Sequence, residues 1–151
     1  MSFFNKVKGA LSAGRDELTK QVGRFKHKKF MQGTVAVCAR IAVTSDGVGA
    51  EEKQKMIGFL KSSPELKVFD TKEVIDFFNE LVDSFSFDYE IGKGETMKYI
   101  LALKDQPEAA QLAVRVGIAV AKSDGDFDQA EQAAVIEIAQ ALGFTPAEFG
   151  L

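Results

Sequence analysis

The chain contains one short motif twice, first as Val43-Thr44-Ser45-Asp46-Gly47 and later as Ala121-Lys122-Ser123-Asp124-Gly125. An apolar pattern with helical spacing precedes and follows each copy, so the repeat predicts an internal duplication of a helical hairpin. The Ser-Asp-Gly step predicts the end of a helix, because glycine adopts the left-handed conformation that a C-terminal cap requires. Each predicted hairpin therefore carries a carboxylate at the turn between its two helices.

The remaining periodicity predicts an all-α, single-domain helical bundle of about seven helices, with no segment typical of a sheet. In the first half of the chain we predict an amphipathic N-terminal helix, a helix buried on all sides from Phe30 to Val43, and a helix from about Gly49 to Pro64. A helix capped by Asp70 or Thr71 follows, then a break over Ser86–Gly94 and a helix over Glu95–Lys104. The last elements are a helix over Pro107–Lys122, a helix over Gln129–Leu142 that is capped by Asp128 and ended by Gly143, and a terminal turn at Thr145–Glu148. We divide the chain into a basic amphipathic element, residues 1–29, and a helical domain, residues 30–151.

Composition restricts the class of protein. With 151 residues, of which 46% are hydrophobic, the chain is long enough to bury one core. No stretch approaches the roughly 18 apolar residues of a membrane-spanning helix, and residues 1–24 lack the apolar centre of a secretory signal. A single cysteine, Cys38, fits a reducing compartment, so we expect a cytoplasmic protein. Because His27 and Cys38 are the only histidine and the only cysteine, a zinc site built of histidines and cysteines within one chain is excluded.

Charge divides the chain into two unlike regions. Residues 1–30 have a balance of +6, whereas residues 31–151 have a balance of −9, which gives the net charge of −3. Basic residues flank a phenylalanine-rich stripe in residues 3–25, a pattern typical of a helix that lies on an anionic membrane surface. Docking of this helix on the core is the alternative. We expect no nucleic-acid binding, because the rest of the chain is acidic and contains no recognition module.

Carboxylates concentrate around the two motifs and predict a cation site. The candidate metal ligands are Asp46, Glu51 and Glu52 at the first motif and Asp124, Asp126, Asp128 and Glu131 at the second. Such hard oxygen donors favour calcium, magnesium or manganese over zinc or copper. Neither motif forms an EF-hand loop, and only the two together supply the six to seven or so oxygens that calcium takes. The sequence therefore predicts one divalent-cation site shared by both motifs.

A simpler interpretation remains open for the same carboxylates. Asp124 and Asp128 are also good helix caps, and Glu52 and Glu131 complement the positive ends of helix dipoles. A second acidic group, Glu73, Asp76, Glu80 and Asp83, follows one face of the helix after Asp70. That stripe is typical of a solvated face, and it could also extend a cation-binding surface or contact the basic N-terminal helix.

The paired Ser-Asp-Gly motifs, with Glu52 and Glu131 behind them in a duplicated helical pattern, resemble the TerB family of bacterial tellurite-resistance proteins. The likeness covers the whole chain and is most extensive over Phe30–Leu142. It implies an all-helical cytoplasmic protein of a tellurite-resistance and stress-response system, which binds metal and works beside the membrane protein TerC. The acidic family positions correspond to Asp46, Glu52, Asp124 and Glu131.

The charge and composition of the chain restrict the functions that this resemblance can imply. Tellurite is an oxyanion, so an acidic surface with one buried thiol is poorly suited to bind or reduce it. No general base is evident beyond the candidate ligands, so we expect no enzyme activity. We predict a cation-binding adaptor that acts near the inner face of the plasma membrane with TerC-like and other tellurite-resistance partners. The alternative is a metal-independent interaction scaffold whose aspartates are only helix caps.

Overall fold

The computed structural model describes residues 20, 27–43, 54, 57, 58, 60–62, 66–122 and 127–151, and all regular structure in these ranges is helical. The elements are α1 (Lys28–Ala42), α2 (Thr71–Phe87), α3 (Tyr89–Leu101), α4 (Pro107–Lys122), α5 (Gln129–Leu142) and a 3₁₀ turn at Pro146–Phe149. Residues 57, 58 and 60–62 are helical as well. This confirms the predicted all-α bundle and agrees with a total of about seven helices. None of the described helices is long and apolar enough to cross a membrane.

Helix α1 is the centre of the bundle. It packs against α2, α3, α4 and α5, the four other α-helices whose bounds are given above. Apolar side chains on every side of α1 meet these neighbours, and the largest of them, Phe30, is completely buried. The prediction of a helix buried on all sides is therefore confirmed, with helix bounds two residues earlier at the start and one residue earlier at the end.

Helix ends lie where the sequence predicted caps. The Asp70 carboxylate accepts a hydrogen bond from the Glu73 amide at 3.0 Å and starts α2. Helix α4 begins at Pro107, a position where a missing amide hydrogen costs nothing. Helix α5 ends at Gly143, whose φ of 88° is the left-handed conformation that favours glycine.

The corner between α2 and α3 differs from the prediction. The sequence predicted a break over Ser86–Gly94, but the structure separates the two helices by Asp88 alone. The Asp88 amide donates to the Ser84 carbonyl at the end of α2. Its carboxylate accepts from the Glu90 and Ile91 amides at 2.9 and 3.2 Å, and so caps α3. One residue serves both helix ends, so no longer loop is needed and α3 begins six residues earlier than predicted.

Helices α1 and α4, which precede the two motifs, run in the same direction. Near the start of α1, Gly33 lies against Leu103, a residue just before α4. Further along α1, Val37 and Ile41 lie against Gly117 in the second half of α4. Moving toward the end of one helix therefore means moving toward the end of the other, and both helices end on the same side of the bundle.

Close packing at Gly92 generates a stability prediction. A Cβ added at Gly92 would meet the Phe85 ring and would lie 2.7 Å from the Phe85 Cα, whereas a Cβ at Gly94 meets nothing within 4 Å. We expect Gly92→Ala to destabilise the fold by about 1–3 kcal/mol, because the backbone at the corner must move. Gly94→Ala is the matched control in the same helix and should stabilise by about 0.5–1 kcal/mol. Urea unfolding measures both, and equal effects of the two substitutions would contradict the packing described for this corner.

Candidate functional site

The structure describes two of the seven predicted cation ligands, Asp128 and Glu131. The other five, Asp46, Glu51, Glu52, Asp124 and Asp126, lie outside the described residues. Among the described residues there is no group of three or more metal-ligating side chains of the Asp, Glu, His or Cys type. A site shared by both motifs therefore stays a prediction. The described residues next to the motifs show where on the bundle the two motifs are attached.

Asp128 and Glu131 form a capping box at the start of α5. The Asp128 Oδ1 accepts a hydrogen bond from the Glu131 amide at 2.8 Å, and the Glu131 Oε1 accepts one from the Asp128 amide at 3.2 Å. The predicted capping role of Asp128 is thus confirmed. Two amides that α5 leaves without helical partners are satisfied by this exchange.

Lys122, the second residue of the second motif, contacts Phe127, which follows the motif. The Lys122 Nζ, at the end of α4, lies 5.5 Å from the centre of the Phe127 ring. The Gln132 side-chain amide donates to the Phe127 carbonyl at 2.8 Å, which ties this residue to the first turn of α5. The two ends of the second motif are therefore fixed at the same place on the bundle.

A small cleft is lined by residues from the end of α1 and from the start of α5. It has a volume of about 220 Å³, and its lining includes Val43 and Ala130. Val43 is the last described residue before the first Ser-Asp-Gly step, and Ala130 comes two residues after Asp128. The end of α1 and the start of α5 thus meet at one cleft, which we call the motif cleft.

A buried arginine forms one wall of the motif cleft. Arg40 is 5% exposed, and its Nη2 lies 2.9 Å from the Glu137 Oε2. The Lys93 Nζ lies 3.2 Å from the other carboxylate oxygen of Glu137, and the Tyr89 ring lies 5.9 Å from the guanidinium carbon of Arg40. These contacts join α1, α3 and α5. This cluster was not predicted from the sequence, although a charged residue within the apolar pattern of α1 is a signal for a buried ion pair.

The cluster sets the protonation state of Glu137. Burial by itself raises the pKa of Glu137, but the hydrogen bond from Lys93 and the positive charges of Arg40 and Lys93 outweigh it, so the pKa lies below its ordinary value of 4.5. Glu137 is therefore ionised at neutral pH. Its carboxylate is thus held by two cations, Arg40 from α1 and Lys93 from α3.

A second, larger cleft lies beside α2 and has a volume of about 350 Å³. Its floor is formed by Met31, Phe77 and Tyr99, and its rim by Glu73, Asp76 and Glu80. We call it the acidic cleft. All four members of the predicted acidic stripe, including Asp83, are exposed. Their exposure agrees with the interpretation of the stripe as a solvated face, and the apolar floor beneath three of them is a feature that the sequence did not predict.

Comparisons with known proteins give a consistent result. Residues 31–151 match the family described as "Tellurite resistance protein TerB". A curated protein from Alcaligenes sp., named "Tellurium resistance protein TerB", is 84% identical over 118 residues, which are 78% of this chain and 97% of that relative. No solved structure matches the chain.

The Arg40–Glu137–Lys93 cluster generates a pH prediction. Because the pKa of Glu137 is lowered by folding, its stabilising effect is complete above about pH 4.5 and is lost as the pH falls further. We expect Glu137→Gln to flatten the loss of stability below that pH, as measured by urea unfolding between about pH 3 and 6.

At neutral pH the same substitution leaves Arg40 without its carboxylate. We expect a loss of about 1–2 kcal/mol, which is less than for a fully buried pair because the Glu137 side chain is 45% exposed to water. Glu95→Gln on the exposed face of α3 is the matched control and should leave the pH profile unchanged. An unaltered profile in Glu137→Gln would refute the role given to the cluster.

Proposed function

The chain belongs to the TerB family of tellurite resistance proteins, and from this premise we propose that it is a non-enzymatic, cation-binding adaptor of a bacterial tellurite-resistance and stress-response system. In this proposal the cation is divalent, namely calcium, magnesium or manganese. The ligands come from both Ser-Asp-Gly motifs, and the protein works at the inner face of the plasma membrane with TerC-like and other tellurite-resistance partners.

One observation carries the proposal of a shared site. Val43, the first residue of the first motif, and Ala130, five residues after the end of the second motif, line the same motif cleft. Helices α1 and α4 also run in one direction, so the chain leaves both helices on the same side of the bundle. Two motifs attached at one side of a bundle are able to contribute carboxylates to one ion, whereas motifs at opposite ends are not.

The alternative function, a metal-independent scaffold, also has a specific observation in its favour. Asp128 and Glu131 hold the start of α5 through their reciprocal hydrogen bonds. A capping role explains both residues without any cation. The capping bond of Asp128 engages its Oδ1, however, and a carboxylate has a second oxygen that is able to bind a cation.

A direct reaction with tellurite is disfavoured by the position of the only cysteine. Cys38 lies in α1 and is buried in the core. A buried thiol surrounded by apolar side chains has a low tendency to ionise and no access to an oxyanion in solution. The acidic balance of residues 31–151 also repels an oxyanion at long range. We therefore propose that the protein acts on tellurite resistance through a partner.

The proposed contact with the membrane belongs to residues 3–25. This segment contains phenylalanines and basic residues at helical spacing. Each basic residue near an anionic bilayer contributes about 1 kcal/mol of attraction. The acidic domain itself is repelled by such a surface, so the N-terminal segment would hold the domain beside the membrane at a distance.

A cation titration of the full chain tests the proposed function. We expect saturable NMR shifts at the amides of Gly47 and Gly125 with calcium, magnesium or manganese. Asp46→Asn combined with Asp124→Asn should weaken binding by at least about tenfold, which is ~1.4 kcal/mol, because both halves of the site lose a charge. Shifts at one motif only would contradict a shared site.

Asp128→Asn separates the cap from the cation ligand. Asparagine caps a helix about as well as aspartate, so the free energy of unfolding should change by less than about 0.5 kcal/mol. We expect cation affinity to fall nevertheless, because one ligand charge is removed. Asp70→Asn makes the same change at the cap of α2 and should leave cation affinity unchanged. If Asp128→Asn and Asp70→Asn behave alike, the scaffold alternative is the better account.

A further inference from the structure

The acidic cleft combines an apolar floor with an acidic rim. On the floor, the Phe77 and Tyr99 rings meet edge to face with their centres 4.9 Å apart. Phe77 is buried and Tyr99 is half-buried, so Tyr99 is the ring that the cleft presents to solvent. An apolar floor of this kind favours an amphipathic occupant whose apolar side lies in the cleft and whose charged side chains meet the rim.

The rim carries three carboxylates and one lysine, Lys28, and two of the carboxylates form no ion pair with any described residue. Asp76 is paired with Lys72 of the same helix, with 2.7 Å between Oδ2 and Nζ. Glu73 and Glu80 form no ion pair with any described residue. They lie seven residues apart on α2, which places them two turns or about 10.5 Å apart along the helix axis. The occupant should therefore carry two positive charges at the same separation.

We infer that the acidic cleft is the docking site of this chain's own N-terminal segment, residues 3–25. Lys28 lines one end of the cleft, and it is the first residue of α1. His27, with φ of −121° and ψ of 158°, is extended, so the chain does not continue the axis of α1 at this point. Because Lys28 lines the cleft, residues 3–25 are tethered to its lining by about 10 Å of chain from Phe25 to Lys28.

The charge pattern of the segment matches that of the cleft. Lys8 and Arg15 are seven residues apart, which is the spacing of Glu73 and Glu80. Leu11 and Leu18 have the same spacing and follow the two basic residues by three positions, so they share a helical face with them. Within the segment the structure describes Lys20, which is helical. A helix with basic and apolar residues in this order offers its leucines to the aromatic floor and its charges to the rim.

Docking in the cleft and contact with a membrane exclude each other, because both use the same apolar face of residues 3–25. The competition between the two rests on the membrane contact of the proposed function, whereas docking of residues 3–25 in the acidic cleft does not depend on that contact. A docked segment covers its phenylalanines until an anionic surface competes for them. The acidic cleft thus acts as an internal competitor that limits attachment to the membrane.

The two tyrosines of the chain provide the test. Tyr99 lies on the floor of the acidic cleft, and Tyr89 lines the motif cleft. The full chain labelled with 3-fluorotyrosine therefore gives two fluorine resonances, of which one reports on docking and one is an internal control. A soluble gadolinium agent, which relaxes exposed nuclei, measures how far each tyrosine is covered.

We expect Tyr99 to be protected from the agent in the unaltered protein. Lys8→Glu combined with Arg15→Glu should lower the ratio of docked to undocked chain by about fivefold or more, because two ion pairs become repulsive, and should expose Tyr99. Adding Glu73→Lys and Glu80→Lys to the same chain should restore protection. Tyr89 should remain unchanged throughout. Lys61→Glu with Lys67→Glu, two exposed lysines outside the cleft, makes the same charge change and should leave Tyr99 protected.

Three results would overturn the inference. The first is equal exposure of Tyr99 in the unaltered protein and in the Lys8→Glu, Arg15→Glu variant. The second is protection that depends on protein concentration, since a second copy would then supply the segment. The third is exposure of Tyr99 in solution together with sedimentation of the unaltered protein, but not of that variant, with anionic phosphatidylglycerol vesicles. This third result would leave the proposed membrane contact intact while removing the docking site.

Discussion

The burial of α1 on all sides is the constraint on which the rest of the structure depends. Helices α2, α3, α4 and α5 all pack against it, and two glycines make close approaches possible. A Cβ at Gly33 would meet Leu103, and a Cβ at Gly117 would meet Val37. Because interiors are packed to the density of organic crystals, these contacts fix where α4 lies relative to α1. The common direction of the two helices, and thus the side on which both motifs are attached, follows from this packing.

A charge in so central a helix requires compensation, and Arg40 obtains it from two other helices. Removal of a guanidinium from water is unfavourable unless its hydrogen bonds and charge are satisfied. Glu137 supplies the charge, Lys93 positions the carboxylate from its other side, and the centre of the Tyr89 ring lies 5.9 Å from the guanidinium carbon. The Arg40 Nε is buried without a hydrogen-bond partner among the described residues. The cluster thus links three helices at the cleft that also contains Val43 and Ala130. The electrostatics and the attachment of the motifs are therefore parts of one arrangement.

We propose two separate charged surfaces for this member of the TerB family. One is the side of the bundle where both Ser-Asp-Gly motifs are attached, and the proposed cation site belongs there. The other is the acidic cleft on α2, whose rim faces solvent above Phe77 and Tyr99. The first surface would respond to a cation, and the second would hold the basic N-terminal segment.

The sequence by itself determined the all-helical class, the buried character of α1, and the ends of helices at Asp70, Asp128 and Gly143. These features depend on periodicity and on hydrogen bonds between residues three or four positions apart, which a sequence displays directly. Only the tertiary structure decided the one-residue corner at Asp88. There, Gly92 near the start of α3 has no side chain and so allows close packing against Phe85. It also decided the Arg40–Glu137 pair and the apolar floor of the acidic cleft. The physical reason is the same in each case: the interacting groups come from different helices, and a local pattern does not specify which distant side chain will lie opposite.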